Sequence, residues 1–233
     1  SLDGEWGLSM RLSGTTRFPK NMMLGAIEDN DLITEYGKEV ARQCKEMGIH
    51  INFAPDMDVN SNTDNPVIGL RSFGENPQAV ADKGLAYARG DTAEDSHYTL
   101  PAVHHDRARL DSVELLPFKR YIYDGYAGVM TGHLYVPALD KVRNRPVSMS
   151  RAVVTDLLQK ELGFRGLCFT DALAMKGATT RKSDNPSVKA LLAGNDILLA
   201  PAAPINDFAA VKEALEEGIL DREEIEAKII KIL

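Results

Sequence analysis

A short apolar run, Leu167-Cys168-Phe169-Thr170, ends in Asp171 and is followed by the small residues Ala172, Leu173 and Ala174. A buried strand that closes on a carboxylate presents that group to whatever binds beyond its C-terminal end. Earlier in the chain, Asp95-Ser96-His97 sets an imidazole two positions from a carboxylate. Such a carboxylate can fix the ring tautomer and support its protonated form, as general acid–base work needs. A carboxylate nucleophile with a proton-transferring group is the minimum set for cleaving a glycosidic bond with retention. Taken singly, Asp171 also reads as a helix N-cap, and an Asp-x-His pair as an ordinary polar loop.

Further groups could serve a ligand. Asp3-Gly4-Glu5-Trp6, with Arg11 nearby, puts two carboxylates beside the sole tryptophan. Sugar sites use such carboxylates for hydroxyls and an aromatic face for the apolar side of a ring, although a packed Trp beside a salt bridge has the same pattern. Asp58 opens a stretch rich in Asn and Asp that runs to Asn65, with Arg71 beyond it, which also reads as a long turn held by side chains. His133 follows an apolar strand and could face the same mouth as Asp171, whereas His104 and His105 precede a basic patch and read as exposed. No cluster has metal-ligand spacing, and no Gly-rich phosphate loop follows a strand.

The segments that must hold these residues alternate between strand and helix patterns, which argues for a mainly parallel α/β fold. Ile33, Tyr36, Val40, Cys44 and Met47 recur at helical spacing before Gly48, and residues 49–55 then read as a strand. Helices are expected from Pro77 to Arg89, after Asp111 through Ile122, and after Ser150 as N-cap; strands are expected over 127–131, before Asp171, and over 196–200. A helix from Ser187 stops at Gly194, and two helices close the chain, the last opening on Asp221 with Glu224 as a capping box. Between Gly90 and His97 the βα rhythm skips a strand, as if residues were absent there.

Composition narrows the classes. The chain has 233 residues, 44% hydrophobic and 26% charged, enough for one large domain with a full core. A net charge of −7, spread along the chain, argues against nucleic-acid partners and against attraction to anionic membranes. Cys44 and Cys168 read as buried free thiols, and no apolar run is long enough to span a membrane.

Several of these segments, in order, resemble glycoside hydrolase family 3, in the branch of bacterial β-N-acetylglucosaminidases. They are Asp3 to Arg11, Asn52-Phe53-Ala54-Pro55, Asn65-Pro66-Val67-Ile68, Arg71-Ser72-Phe73-Gly74, Asp91-Thr92 with Asp95-Ser96-His97, and Phe169 to Met175. The resemblance covers residues 3–233 and implies a single catalytic (β/α)8 barrel domain over 1–233. It also implies a retaining hydrolysis of terminal β-linked N-acetylglucosamine, with muropeptides from peptidoglycan as the expected source. Asp171 would be the nucleophile, His97 the acid/base and Asp95 its orienting partner. Asp3 and Arg71 match sugar-binding positions, and Trp6, Asp58, His133 and Met175 complete the candidate substrate contacts. No cofactor and no metal is implied, and the expected partner is a small carbohydrate, with further domains of a longer parent chain as a possibility. A phosphorylase or β-glucosidase of the same family, or a sugar-binding barrel without catalysis, is the alternative. The compartment stays open between cytoplasm and periplasm of a bacterium.

The chain departs from the family pattern in three places. A Lys-His-Phe-Pro-Gly-His-Gly strand and turn is missing at the 90/91 junction, and the N-terminal strand–helix unit of the barrel is missing before Ser1. Omission from a longer protein is favoured over true truncation, because a barrel without two strands would expose open sheet edges. Asp56 stands where the family usually has an apolar residue, so it should be solvated or paired.

Overall fold

The computed structural model describes residues 1–88, 102–178 and 185–233. The chain groups into two units, Ser1–Ser96 with Asp106–Gly128, and His97–His105 with Val129–Leu233. The expected acid/base pair, Asp95 and His97, lies outside the described residues.

In the first unit, α1 (Asn21–Gly25) leads into α2 (Asn30–Glu46). Asp29 starts α2 by accepting the Asp31 N–H, and Gly48, at φ 70°, ends it as the pattern predicts. The stripe of Ile33, Tyr36, Val40 and Cys44 is buried, and α2 packs on α3 (Pro77–Ala88) through Val80, Ala86 and Tyr87. Tyr36 stands edge-on to both Phe18 and Tyr87, with ring centroids 5.0 and 5.1 Å away. The strand expected over 49–55 makes one parallel bridge, Leu2 with Asn52. Leu2 donates to Ile51 and receives from Phe53, so the N-terminal segment is its partner.

The helix expected after Asp111 is broken in two. α4 (Arg107–Ser112) starts earlier, where Asp106 accepts the Arg109 N–H, and α5 (Leu116–Tyr123) follows with Pro117 in its first turn. Proline has no N–H and its ring collides with the carbonyl one turn back, so the helix must restart there.

In the second unit, β1 (Gly128–Thr131), whose first residue belongs to the first unit, pairs with β2 (Leu167–Thr170) in a parallel sheet. Residues 196–200 run beside β2 with a single parallel bridge, Phe169 to Ile197. Thr170, Leu173 and Ala174 donate to Ile197, Leu199 and Ala200, but the Leu199 N–H goes to the Thr170 hydroxyl instead of a backbone carbonyl. That side-chain substitution cuts short the strand expected here. The described residues therefore show parallel pairing but not a closed barrel.

Ser150 does not act as an N-cap. Its hydroxyl donates to Asp140, and only its carbonyl, which accepts from Val153 and Val154, feeds the following helix, Ala152–Glu161. That helix has wide, π-type turns. α6 (Pro186–Ala193) is capped by Asn185 and ends on Gly194 at φ 116°. α7 (Pro204–Glu216) and α8 (Arg222–Ile232) close the chain. Asp221 caps α8 by accepting from Glu223 and Glu224, while the Glu224 side chain turns to Arg151. Lys231 pins α8 to the buried Asp196 at 2.6 Å. No helix is long and apolar enough to cross a membrane among the described residues.

Candidate active site

Asp171 is the first residue beyond β2 and is 1% exposed. Its backbone N–H donates to the carbonyl of Thr131, the last residue of β1, at 3.0 Å. Its Oδ1 accepts the N–H of Ala172 at 2.6 Å. The carboxylate therefore stands at the C-terminal end of a parallel strand pair, with the backbone held before it.

His133 lies beside this turn, not at an open mouth. It is 2% exposed, and both ring nitrogens are engaged by the protein itself: Nε2 is 3.2 Å from the Ala172 carbonyl and Nδ1 is 2.7 Å from the Ser148 hydroxyl. A carbonyl only accepts, so Nε2 carries the proton and donates to Ala172. Burial pushes the His133 pKa below its ordinary value, which favours the neutral ring. In that tautomer Nδ1 accepts from Ser148. Behind them, Asn195 donates to the Ser148 and Ala190 carbonyls at 2.7 and 2.8 Å. The Thr131 hydroxyl lies 2.7 Å from Asn195 Oδ1 and 3.1 Å from the Phe169 carbonyl. Sequence reasoning missed Ser148 and Asn195, because nothing in their spacing distinguishes a buried polar bridge from turn chemistry. Met175, a candidate contact, is half-buried just beyond this turn.

The first unit holds a second set of polar groups. Gly4 is fixed from three sides: its N–H donates to Asn52 Oδ1 at 2.9 Å, and its carbonyl accepts from Asn52 Nδ2 and from the Tyr87 hydroxyl. This anchors Asp3, Glu5 and Trp6. Asp3 is partly exposed and pairs with Arg11 at 2.6 Å. Trp6 is half-buried with Lys20 over its ring at 5.0 Å. Glu5, fully buried, accepts from Arg71 Nε at 3.0 and 3.1 Å and from Nη2 at 2.8 Å. This bidentate grip orients the guanidinium.

Asp56 is paired, as its burial demands: Arg71 Nη2 lies 3.4 Å from Asp56 Oδ2. Its Oδ1 accepts the Asp58 N–H at 2.8 Å. Burial, with Asp58 nearby, raises the Asp56 pKa well above its ordinary value in spite of Arg71. Burial raises Asp58 as well, against the pull of Arg71 and the hydrogen bond to Asp56. Arg71, Asp56, Asp58 and Glu5 thus form one cluster, with Glu5 and Asp56 buried and Arg71 and Asp58 half-buried, while His104 and His105 are exposed. Among the described residues no group of three or more His, Cys, Asp or Glu side chains could hold a metal ion.

The profile of the glycosyl hydrolase family 3 N-terminal domain matches residues 1–90 and 87–233. The chain belongs to glycoside hydrolase family 3. Among its relatives, beta-hexosaminidase A of Pseudoalteromonas piscicida is 35% identical over 274 residues, covering 100% of this chain and 46% of that protein. The beta-hexosaminidase of Neisseria meningitidis serogroup B is 32% identical over 203 residues, covering 76% of this chain and 55% of the relative. A family 3 beta-N-acetylglucosaminidase structure from Paenibacillus superposes with a TM-score of 0.86 at 36% identity, over 98% of this chain and 48% of that one. The chain spans about half the length of the curated relatives it matches. The two family 3 matches meet at residues 87–90, beside the junction where the sequence skips a strand.

Proposed function

We propose that this family 3 chain is the catalytic (β/α)8 barrel domain of a retaining exo-β-N-acetylglucosaminidase, acting on terminal β-linked N-acetylglucosamine such as that of muropeptides. The observation that carries the reading is the buried Asp171 carboxylate at the end of β2, with its backbone tied to β1. Asp171 attacks the anomeric carbon, the glycosidic oxygen leaves with a proton from His97, and a covalent glycosyl-enzyme forms. His97, oriented by Asp95, then takes a proton from water as that water releases the sugar. Asp3 and Arg71 hold sugar hydroxyls. The Glu5–Arg71 pair supports this role, because a guanidinium already gripped on one edge keeps a fixed direction for the other. Trp6, Asp58 and Met175 extend the sugar contacts. The names of the relatives, hexosaminidases and β-N-acetylglucosaminidases, support the substrate class.

The test is trapping. Incubated with a 5-fluoro N-acetylglucosaminide, the full-length protein should gain the mass of one sugar on the peptide containing Asp171, and Asp171→Ala should gain none. A protein that turns over aryl N-acetylglucosaminides with no adduct, or with the adduct on another residue, would sink the assignment.

A further inference from the structure

The polar groups around Asp171 form a connected chain. From β1, Thr131 accepts the Asp171 N–H through its carbonyl and meets Asn195 through its hydroxyl. Asn195 donates to the Ser148 carbonyl, the Ser148 hydroxyl meets His133 Nδ1, and His133 Nε2 donates to the carbonyl of Ala172. The chain starts at the Asp171 N–H and ends at the carbonyl of the next residue, Ala172, so it brackets the turn that carries the carboxylate. Thr131, His133, Ser148 and Asn195 are all buried, with Ser148 and Asn195 at 0% exposure. Buried polar groups tied in this way are costly to rearrange, since each broken link leaves a donor or acceptor without water. The Asp171 carboxylate also accepts from the Ala172 N–H, so Ala172 is tied at its N–H to Asp171 and at its carbonyl to His133, and a shift of the Ala172 backbone would disturb the carboxylate.

We infer that His133 is a positioning residue for the nucleophile, holding the Ala172 backbone by its carbonyl so that the Asp171 carboxylate keeps its aim, and that it does so as a neutral Nε2–H imidazole braced by Ser148 and Asn195. The inference rests on Asp171 being the nucleophile. It gives His133 a different task from contact with the sugar. A small error in nucleophile placement slows bond formation far more than it weakens ground-state binding.

Two variants separate the links. In His133→Gln the amide nitrogen can reach the place of Nε2 and keep the donor to Ala172. In His133→Asn the side chain reaches only the place of Nδ1 and loses it. Single-turnover kinetics of the full-length protein with an aryl N-acetyl-β-glucosaminide should show glycosylation slowed about 30-fold in the Asn variant. KM should stay within about twofold, and Gln should restore the rate to within about threefold of wild type. Equal losses in both variants, a change in KM alone, or no change in either would each overturn the inference. If wild type neither turns over nor is trapped, the glycosidase reading fails by itself. Crystal structures then decide the positioning: the Asn variant should show the Ala172 carbonyl turned and the Asp171 carboxylate displaced, and an unmoved carboxylate would refute it.

Discussion

Asp56 is a carboxyl group placed where charge is costly. It is 2% exposed, faces Asp58, and has one guanidinium that Glu5 already grips. Its pKa stands above the ordinary value near 3.8, so the folded protein binds a proton there that the unfolded chain releases. Stability attributable to this site is therefore greatest at low pH and is lost as pH rises from the ordinary value through the raised one. Asp56→Asn keeps the shape and removes the ionisation. It should raise the unfolding midpoint at pH 8, and the gain over wild type should shrink toward pH 4. A variant less stable than wild type at pH 8 would mean that Arg71 needs the Asp56 charge more than burial penalises it.

At the level of elements, α1 is fitted to the segment that carries Arg71. A Cβ on Gly25 would sit 1.8 Å from the carbonyl oxygen of Phe73, a backbone atom that cannot swing aside. Phe73 is itself 3% exposed in the core of the first unit. Gly25→Ala should therefore destabilise the protein by about 3 kcal/mol, the upper part of the range for overpacking. On the proposed role of Arg71 in holding sugar hydroxyls, it should also raise KM more than it lowers kcat, because Arg71 lies two residues before Phe73. Denaturant titration and steady-state kinetics check the two halves; an unchanged midpoint would show that α1 moves freely. By comparison, Gly48, Gly163 and Gly194 sit at φ 70°, 75° and 116° as helix stops, where the left-handed backbone itself asks for glycine.

For the whole molecule, the choice is between water and phosphate as acceptor. A histidine in the proposed acid/base role would not repel phosphate as a carboxylate would, which leaves phosphorolysis chemically open. The chain nonetheless carries a net charge of −7, and the Glu5 carboxylate already engages the Arg71 guanidinium. An acidic protein of this kind disfavours a second anion near the proposed sugar site. Turnover of an aryl N-acetylglucosaminide should be the same in phosphate and in a neutral buffer of equal ionic strength, with free N-acetylglucosamine as product. Phosphate-dependent release of the sugar 1-phosphate would overturn hydrolysis.

Local signals were legible in the chain because they act within one turn. The stripe from Ile33 to Cys44, the Asp221 cap and the glycine stops needed only neighbours three or four residues away. The strand ending in Asp171 was legible for the same reason, as an apolar run closed by a carboxylate. Other features depended on partners far along the chain. Ser150 has the form of an N-cap, but Asp140 takes its hydroxyl. The 196–200 strand is interrupted by the Thr170 side chain, and Pro117 splits a helix whose apolar spacing runs on. Arg71 finds Glu5 across 66 positions, and His133 finds Ala172 across 39. Periodicity carries no information about such pairs: it reports which face of an element is apolar, while a buried hydrogen bond depends on which distant backbone arrives there. The sequence alone thus determined where the carboxylate stands, and only tertiary packing decided what holds it.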